Sequence, residues 1–175
     1  MSILVDQRVI AIEEYYYDPN VISHYTGVDA RTGGFVKDSL LEVGDKRIKS
    51  MDDSGIDVQV LSHGAPSTQR MDADTGIPVA KAANDYLFEI CQANPQRLAG
   101  FAALPTADPI AAADELSRSV NQLGFKGAMI HGLIGEERCL SITNDIGQFL
   151  KRHRHSMCLF ISTPPIHIRL LSTHI

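Results

Sequence analysis

Cysteine is scarce. Cys91, Cys139 and Cys158 are the three in the chain, widely spaced and in no Cys-x-x-Cys or Cys/His cluster. That spacing excludes a disulfide framework and a structural zinc knot, and it fits a reducing cytoplasm. Basic charge is also in short supply: the formal net charge is -5 and the sequence pI about 5.7. No positive field exists to draw the chain onto phosphate backbones or anionic lipid, so neither nucleic acid nor a membrane surface is expected as a partner. Long apolar runs are missing, and residues 1–8 carry Asp6 without a basic start followed by an apolar stretch. Neither a targeting signal nor a membrane span is therefore read. Internal repeats and low-complexity segments are lacking as well. What is present is 44% hydrophobic and 21% charged residues over 175 positions, the profile of one soluble globular domain with a buried core.

Apolar runs and breakers alternate along the chain. Residues 9–12 form a short apolar strand ending in Glu13-Glu14, and residues 15–35 are loop-like, with Asp18-Pro19-Asn20 and Gly33-Gly34 as turn chemistry. Residues 36–54 are helix-compatible with Gly55 as a stop, and residues 56–62 (IDVQVLS) read as a β-branched strand. After a loop over 64–76, residues 77–94 place Ala83, Leu87, Ile90 and Cys91 at helical spacing, terminated by Pro95. A strand over 98–104 follows. Asp108-Pro109 then caps a helix whose Ala112, Leu116, Val120 and Leu123 share a face, Gly124 ends it, and residues 126–130 make a fourth strand. Strands alternating with helices predict βαβ units and a parallel sheet. The first strand ends in acids and tyrosines where a dinucleotide fold would carry its glycine fingerprint, which argues against that fold.

Four runs carry a family resemblance: IAIEE at 10–14, RIKSMDDSGIDVQVLS at 47–62, AANDYLFEICQANPQRLAGFAALPTADP at 82–109 and LGFKGAMIHG at 123–132. Over about residues 9–150 the chain resembles the amidohydrolase-related family that includes resorcylate, dihydroxybenzoate and aminocarboxymuconate semialdehyde decarboxylases. The resemblance implies the N-terminal part of a distorted (β/α)₈ barrel, about four βα units, with chemistry at the C-terminal mouth of the strands. It also implies a divalent metal, zinc or manganese, that polarises a small carboxylic acid substrate. Non-oxidative decarboxylation of an aromatic or related acid is the activity implied. Hydrolysis of a lactone or ester is the enzymatic alternative, and a non-catalytic half-barrel the other.

The family's first metal motif is Glu-x-His, and here it reads Glu13-Glu14-Tyr15. Alternation along a strand puts Glu13 and Tyr15 on one face and Glu14 on the other, which makes Glu13 the expected metal ligand. A phenol with a reference pKa of about 10 is a poor zinc ligand, so Tyr15 is expected on the substrate side and metal binding is expected to be weak. His131, ending the fourth strand, is the second candidate for substrate contact. The blander readings are a solvated acid pair for Glu13 and Glu14 and hydrogen-bonded structural roles for His131 and His63. Arg47, Asp52 and Asp53 read as surface charge on a helix.

Past residue 150 the resemblance fails. The family pattern expects a stretch like ALDVPLYLHP, whose histidine is a metal ligand, whereas this chain reads KRHRHSMCLFISTPPIHIRLLSTHI. His153, His155, His167 and His174 show no compact ligand spacing, and Pro164-Pro165 breaks the segment. Reading the codons that encode residues 152–175 from the third base of each permits AQALDVPLYLHPAHPHPAVIDAY, with Met157-Cys158 forced to give valine. Residues 151–175 are therefore read as an irregular, out-of-frame tail with no defined partner in the fold, although residues 157–161 are β-prone. The chain is accordingly expected to be catalytically incomplete and to self-associate through open edges at its first and fourth strands.

Overall fold

The computed structural model describes residues 8–31 and 36–131, together with the backbone of 158–162 and 169–172. The β-branched runs become parallel strands: β1 (Ile10–Tyr16), β2 (Val58–His63) and β3 (Leu98–Gly100) form one sheet in that order. β4 (Gly127–His131) joins it through the Ala102–Ala128 bridge. There Lys126 N–H donates to the Gly100 carbonyl at 2.9 Å and Ala102 N–H to the Gly127 carbonyl at 2.8 Å. Gly100 is required at this crossing, because a Cβ there would lie 2.8 Å from the Phe125 ring.

Helices fill the connections, α1 (Pro19–Ser23), α2 (Lys37–Leu41), α3 (Asp45–Ser54), α4 (Ala73–Ala93) and α5 (Pro109–Asn121). Their ends follow from local chemistry. Asp108 accepts from the Ile110 and Ala111 N–H groups and Pro109 opens α5. Gly55, at φ 68, closes α3 while Ile56 N–H reaches back to the Met51 carbonyl at 2.9 Å.

Several predicted boundaries move, each for a local reason. The helix expected over 36–54 is two helices, because Glu42 is extended and Gly44 adopts φ -103, ψ -141 between them. α4 starts at Ala73, well before 77, because Asp72 caps it through Thr75 N–H; Pro78 then forfeits one backbone bond inside the helix. The segment after β1 holds α1, capped by Asp18. β3 stops short of 104 because side chains take over its backbone: Asn84 bonds both the N–H and the carbonyl of Ala103, and Thr68 bonds the Leu104 carbonyl.

The tail departs most from expectation. β5 (Cys158–Ser162) lies parallel to β4 in register Gly127↔Cys158 to His131↔Ser162, and β6 (Arg169–Ser172) pairs antiparallel with β5. The reading of an irregular segment without a partner is corrected over these residues. The edge of β4 presents unpaired N–H and carbonyl groups, and a β-prone run satisfies them whatever its origin.

The strand period sorts residues between two faces. Leu61, Leu98, Ala102, Ala128 and Ile130 pack outward against Met51, Leu87, Cys91, Ala112 and Leu116 of the helices. Val60, Phe101 and Met129, with Ile12 and Ala99, face the other way, into the barrel interior. At roughly 1.5–3 kcal/mol per buried large apolar side chain, the outer layer supplies most of the folding drive and holds the strand ends in place.

Candidate active site at the strand ends

β1 carries a bulge. Its register slips between Ala11↔Gln59 and Glu14↔Leu61, so Ile12 and Glu13 together oppose Val60, and Glu13 takes φ 67. The extra residue keeps Ile12 on the interior face and puts Glu14 on the helix side, where Gln59 Nε2 donates to its carboxylate at 3.1 Å. Tyr15, paired in register with Ser62, lies on the interior side.

His131, at the end of β4, is 8% exposed, and its ring lies 5.6 Å from that of Tyr15 at an interplanar angle of 53°. Its Nε2 contacts the His63 carbonyl at 2.8 Å; a carbonyl only accepts, so Nε2 carries the proton and the lone pair of the neutral ring is on Nδ1. Burial lowers the pKa of His131, opposed by that hydrogen bond and by the charge of Glu13. Sheet curvature thus brings the ends of two strands that are not neighbours together: Tyr15 packs against His131, and the charge of Glu13, two residues before Tyr15 on β1, acts on the His131 ring.

His63 is committed to structure. Its Nε2 accepts from Asp18 N–H at 3.1 Å, its Nδ1 donates to the Gly64 carbonyl at 2.9 Å, and burial pushes its pKa down to about 4. With both nitrogens engaged it has no lone pair to offer a ligand.

Arg47 is not surface charge. Its guanidinium reaches the Tyr15 carbonyl at 2.9 Å, the Glu42 carbonyl at 2.9 Å and Gln59 Oε1 at 3.1 Å, which fixes the chain at the end of β1. A single helix over 36–54 suggested a solvent face; the break at residues 42–44 starts α3 afresh after Gly44, with Arg47 toward β1. Asp53 does pair with Lys49 one turn away on the surface, whereas Asp52 reaches across to Arg97 at 2.7 Å. Gln69, whose Oε1 accepts from His131 N–H at 2.9 Å, was missed altogether, since a lone glutamine in a turn carries no periodic signal. Beside the β1 edge, an open cleft of about 640 Å³ is lined by Glu13, Glu14, Tyr15, Arg47 and Gln59 among others.

Among the described residues no group of three or more His, Cys, Asp and Glu side chains is placed to hold a metal ion. Glu13 and His131 supply a carboxylate and an imidazole, whereas a catalytic zinc-type site takes roughly three protein ligands and a closed one roughly four. No helix of the described residues is long and apolar enough to cross a membrane.

Parallel strands alternating with helices, acids and aromatics at the C-terminal mouth and an apolar interior define a (β/α)-barrel unit of the TIM type. The chain belongs to the amidohydrolase family, whose model matches residues 26–146. It is 41% identical over 128 residues to a gamma-resorcylate decarboxylase of Rhodococcus jostii, covering 72% of this chain and 39% of that protein. It is 40% identical over 132 residues to a gamma-resorcylate decarboxylase of a Rhizobium species, covering 74% and 40%. Among solved structures, 2,6-dihydroxybenzoate decarboxylase in complex with 2,6-dihydroxybenzoate superposes with a TM-score of 0.69 at 31% identity, over 89% of this chain and 50% of that one. The 5-carboxyvanillate decarboxylase of Novosphingobium aromaticivorans, holding manganese and 4-hydroxy-3-methoxy-5-nitrobenzoic acid, gives 0.78 at 26% identity, over 90% and 50%. The chain spans about two fifths of the length of these curated relatives and about half that of the solved structures.

Proposed function

We propose that these βα units belong to a metal-dependent, non-oxidative decarboxylase of an aromatic carboxylic acid. The observation that carries this reading is the packing of Tyr15 against His131 at the strand ends, with Glu13 beside Tyr15 on the same strand, in a chain whose relatives are aromatic-acid decarboxylases. Glu13 is the candidate metal ligand. Tyr15 and His131, with their planes inclined, form the corner against which a planar acid would lie. Decarboxylation breaks the bond between ring carbon and carboxylate, releases carbon dioxide and leaves an electron pair on carbon that a proton must take up.

The described residues do not by themselves complete a divalent-metal site, so the roles assigned to them are binding and orientation. Metal binding by the 175-residue chain is proposed to be weak and its turnover low. The test is incubation with manganese and 2,6-dihydroxybenzoate, following resorcinol by chromatography, beside incubation with aromatic lactones and esters. A barrel-length protein carrying these strands is expected to form resorcinol or the corresponding phenol. Turnover of the lactones alone would favour the hydrolase alternative, and inertness toward both would favour the non-catalytic half-barrel.

A further inference from the structure

The loop after β2 interrupts the sheet at its mouth. Between β3 and β4 the parallel ladder runs up to Met129 N–H on the Ala102 carbonyl at 3.3 Å. Continued regularly, the ladder would carry a rung from His131 N–H to the Leu104 carbonyl. Two side chains of the loop replace it: Thr68 donates its hydroxyl to the Leu104 carbonyl at 2.9 Å, and Gln69 Oε1 accepts from His131 N–H at 2.9 Å. Thr106 in turn donates to the Gln69 backbone carbonyl at 3.2 Å, so the loop is fastened from both sides. The substituted rung parts β3 from β4 where the mouth opens.

Gln69 is 4% exposed, and its amide nitrogen has no hydrogen-bond partner among the described residues. A buried primary amide using only its oxygen is anomalous, because an unmet donor loses its hydration without compensation. Ser62, opposite Tyr15 on β2 and fully buried, has an equally unpaired hydroxyl. One unpaired donor is thus carried by the residue in register with Tyr15 and the other by the residue that holds the His131 backbone. A carboxylate or phenolate, which brings oxygens that only accept, is the chemistry that pairs them.

We propose that Gln69 positions the acid at this mouth: its amide oxygen pins the backbone of His131, and its amide N–H₂ group donates to a carboxylate or phenol oxygen of the bound aromatic acid. This rests on the aromatic-acid reading above. The test is titration of the ¹⁵N-labelled full chain with 2,6-dihydroxybenzoate, with and without manganese. The Gln69 side-chain amide peaks are assigned by their loss in Gln69→Glu. At saturation these peaks move downfield in the wild-type chain. Gln69→Glu keeps an acceptor for His131 N–H but sets an anion against the acid, and weakens binding about tenfold or more, while the His131 backbone amide keeps its shift. Gln69→Leu weakens binding and moves the His131 amide as well. Unmoved Gln69 peaks at saturation, or both variants binding within about twofold of wild type, overturn the proposal and leave the aromatic-acid reading standing. Absence of binding to the wild-type chain overturns both. Should one variant fail to fold, the loss of the same peaks in the other assigns them, and the wild-type shifts decide.

Discussion

His63 shows how a side chain's environment turns into a pH dependence. Its ring is enclosed by Tyr16, Tyr17 and Tyr25, and it stays neutral in the folded state down to about pH 4. The unfolded chain takes up a proton near pH 6.5, so the folded state is the one that resists protonation. Stability from this residue is complete above pH 6.5 and is lost as pH falls toward 4, at about 1.4 kcal/mol per pH unit. Urea unfolding between pH 4 and 7 is expected to show that slope, flattened in His63→Gln. For Arg47, the three hydrogen bonds at the end of β1 predict that Arg47→Ala costs about 2 kcal/mol in the same assay, and Arg47→Lys nearly as much, because one ammonium cannot span three acceptors. At Glu13 the expected outcome is calorimetric: manganese binds weakly, and a tight stoichiometric site abolished by Glu13→Ala would refute the two-donor account of this mouth.

At the scale of elements, the junction of α4, β3 and α5 is held by one buried side chain. Asn84 binds both backbone groups of Ala103 and donates to Glu115 at 2.7 Å, and Glu115 is held in turn by Arg118 at 2.8 Å. Asn84→Ala leaves backbone groups buried without partners and is expected to cost about 3 kcal/mol, read as a fall in the urea midpoint. The order and type of these elements were legible because apolar period and caps speak locally; Asp108-Pro109 and Gly55 performed as their chemistry demands. The strand ends were not, because Asn84 and Thr68 stop β3 from positions far away in the chain.

For the whole molecule, the edge to watch is β1. It pairs with β2 alone among the described residues, while β4, expected to be open, is covered by β5. A parallel strand edge with exposed Val9 and Ile10 beside it is a template for association. Light scattering after size-exclusion chromatography is expected to show dimers or larger species at micromolar concentration; a sharply unfolding monomer would show the described core to be self-sufficient. Deleting residues 151–175 uncovers β4 and should increase association. The out-of-frame reading of the tail has its own test in the coding DNA around residue 152, where in-frame codons that do not spell ALDVPLYLHP in the shifted frame would sink it.

The sequence by itself determined the family, the alternation of strand and helix, and the residues able to do chemistry at the strand ends, because periodicity, caps and residue type act within a few positions of one another. Tertiary structure decided which of those residues meet. The β1 bulge gives Glu13 its left-handed backbone, curvature sets Tyr15 against His131, and the hydrogen bonds of His63 remove it from any ligand set. Arg47 and Gln69 acquired their roles only through partners 32 and 62 residues away, and such pairings are fixed by packing, which no local pattern encodes.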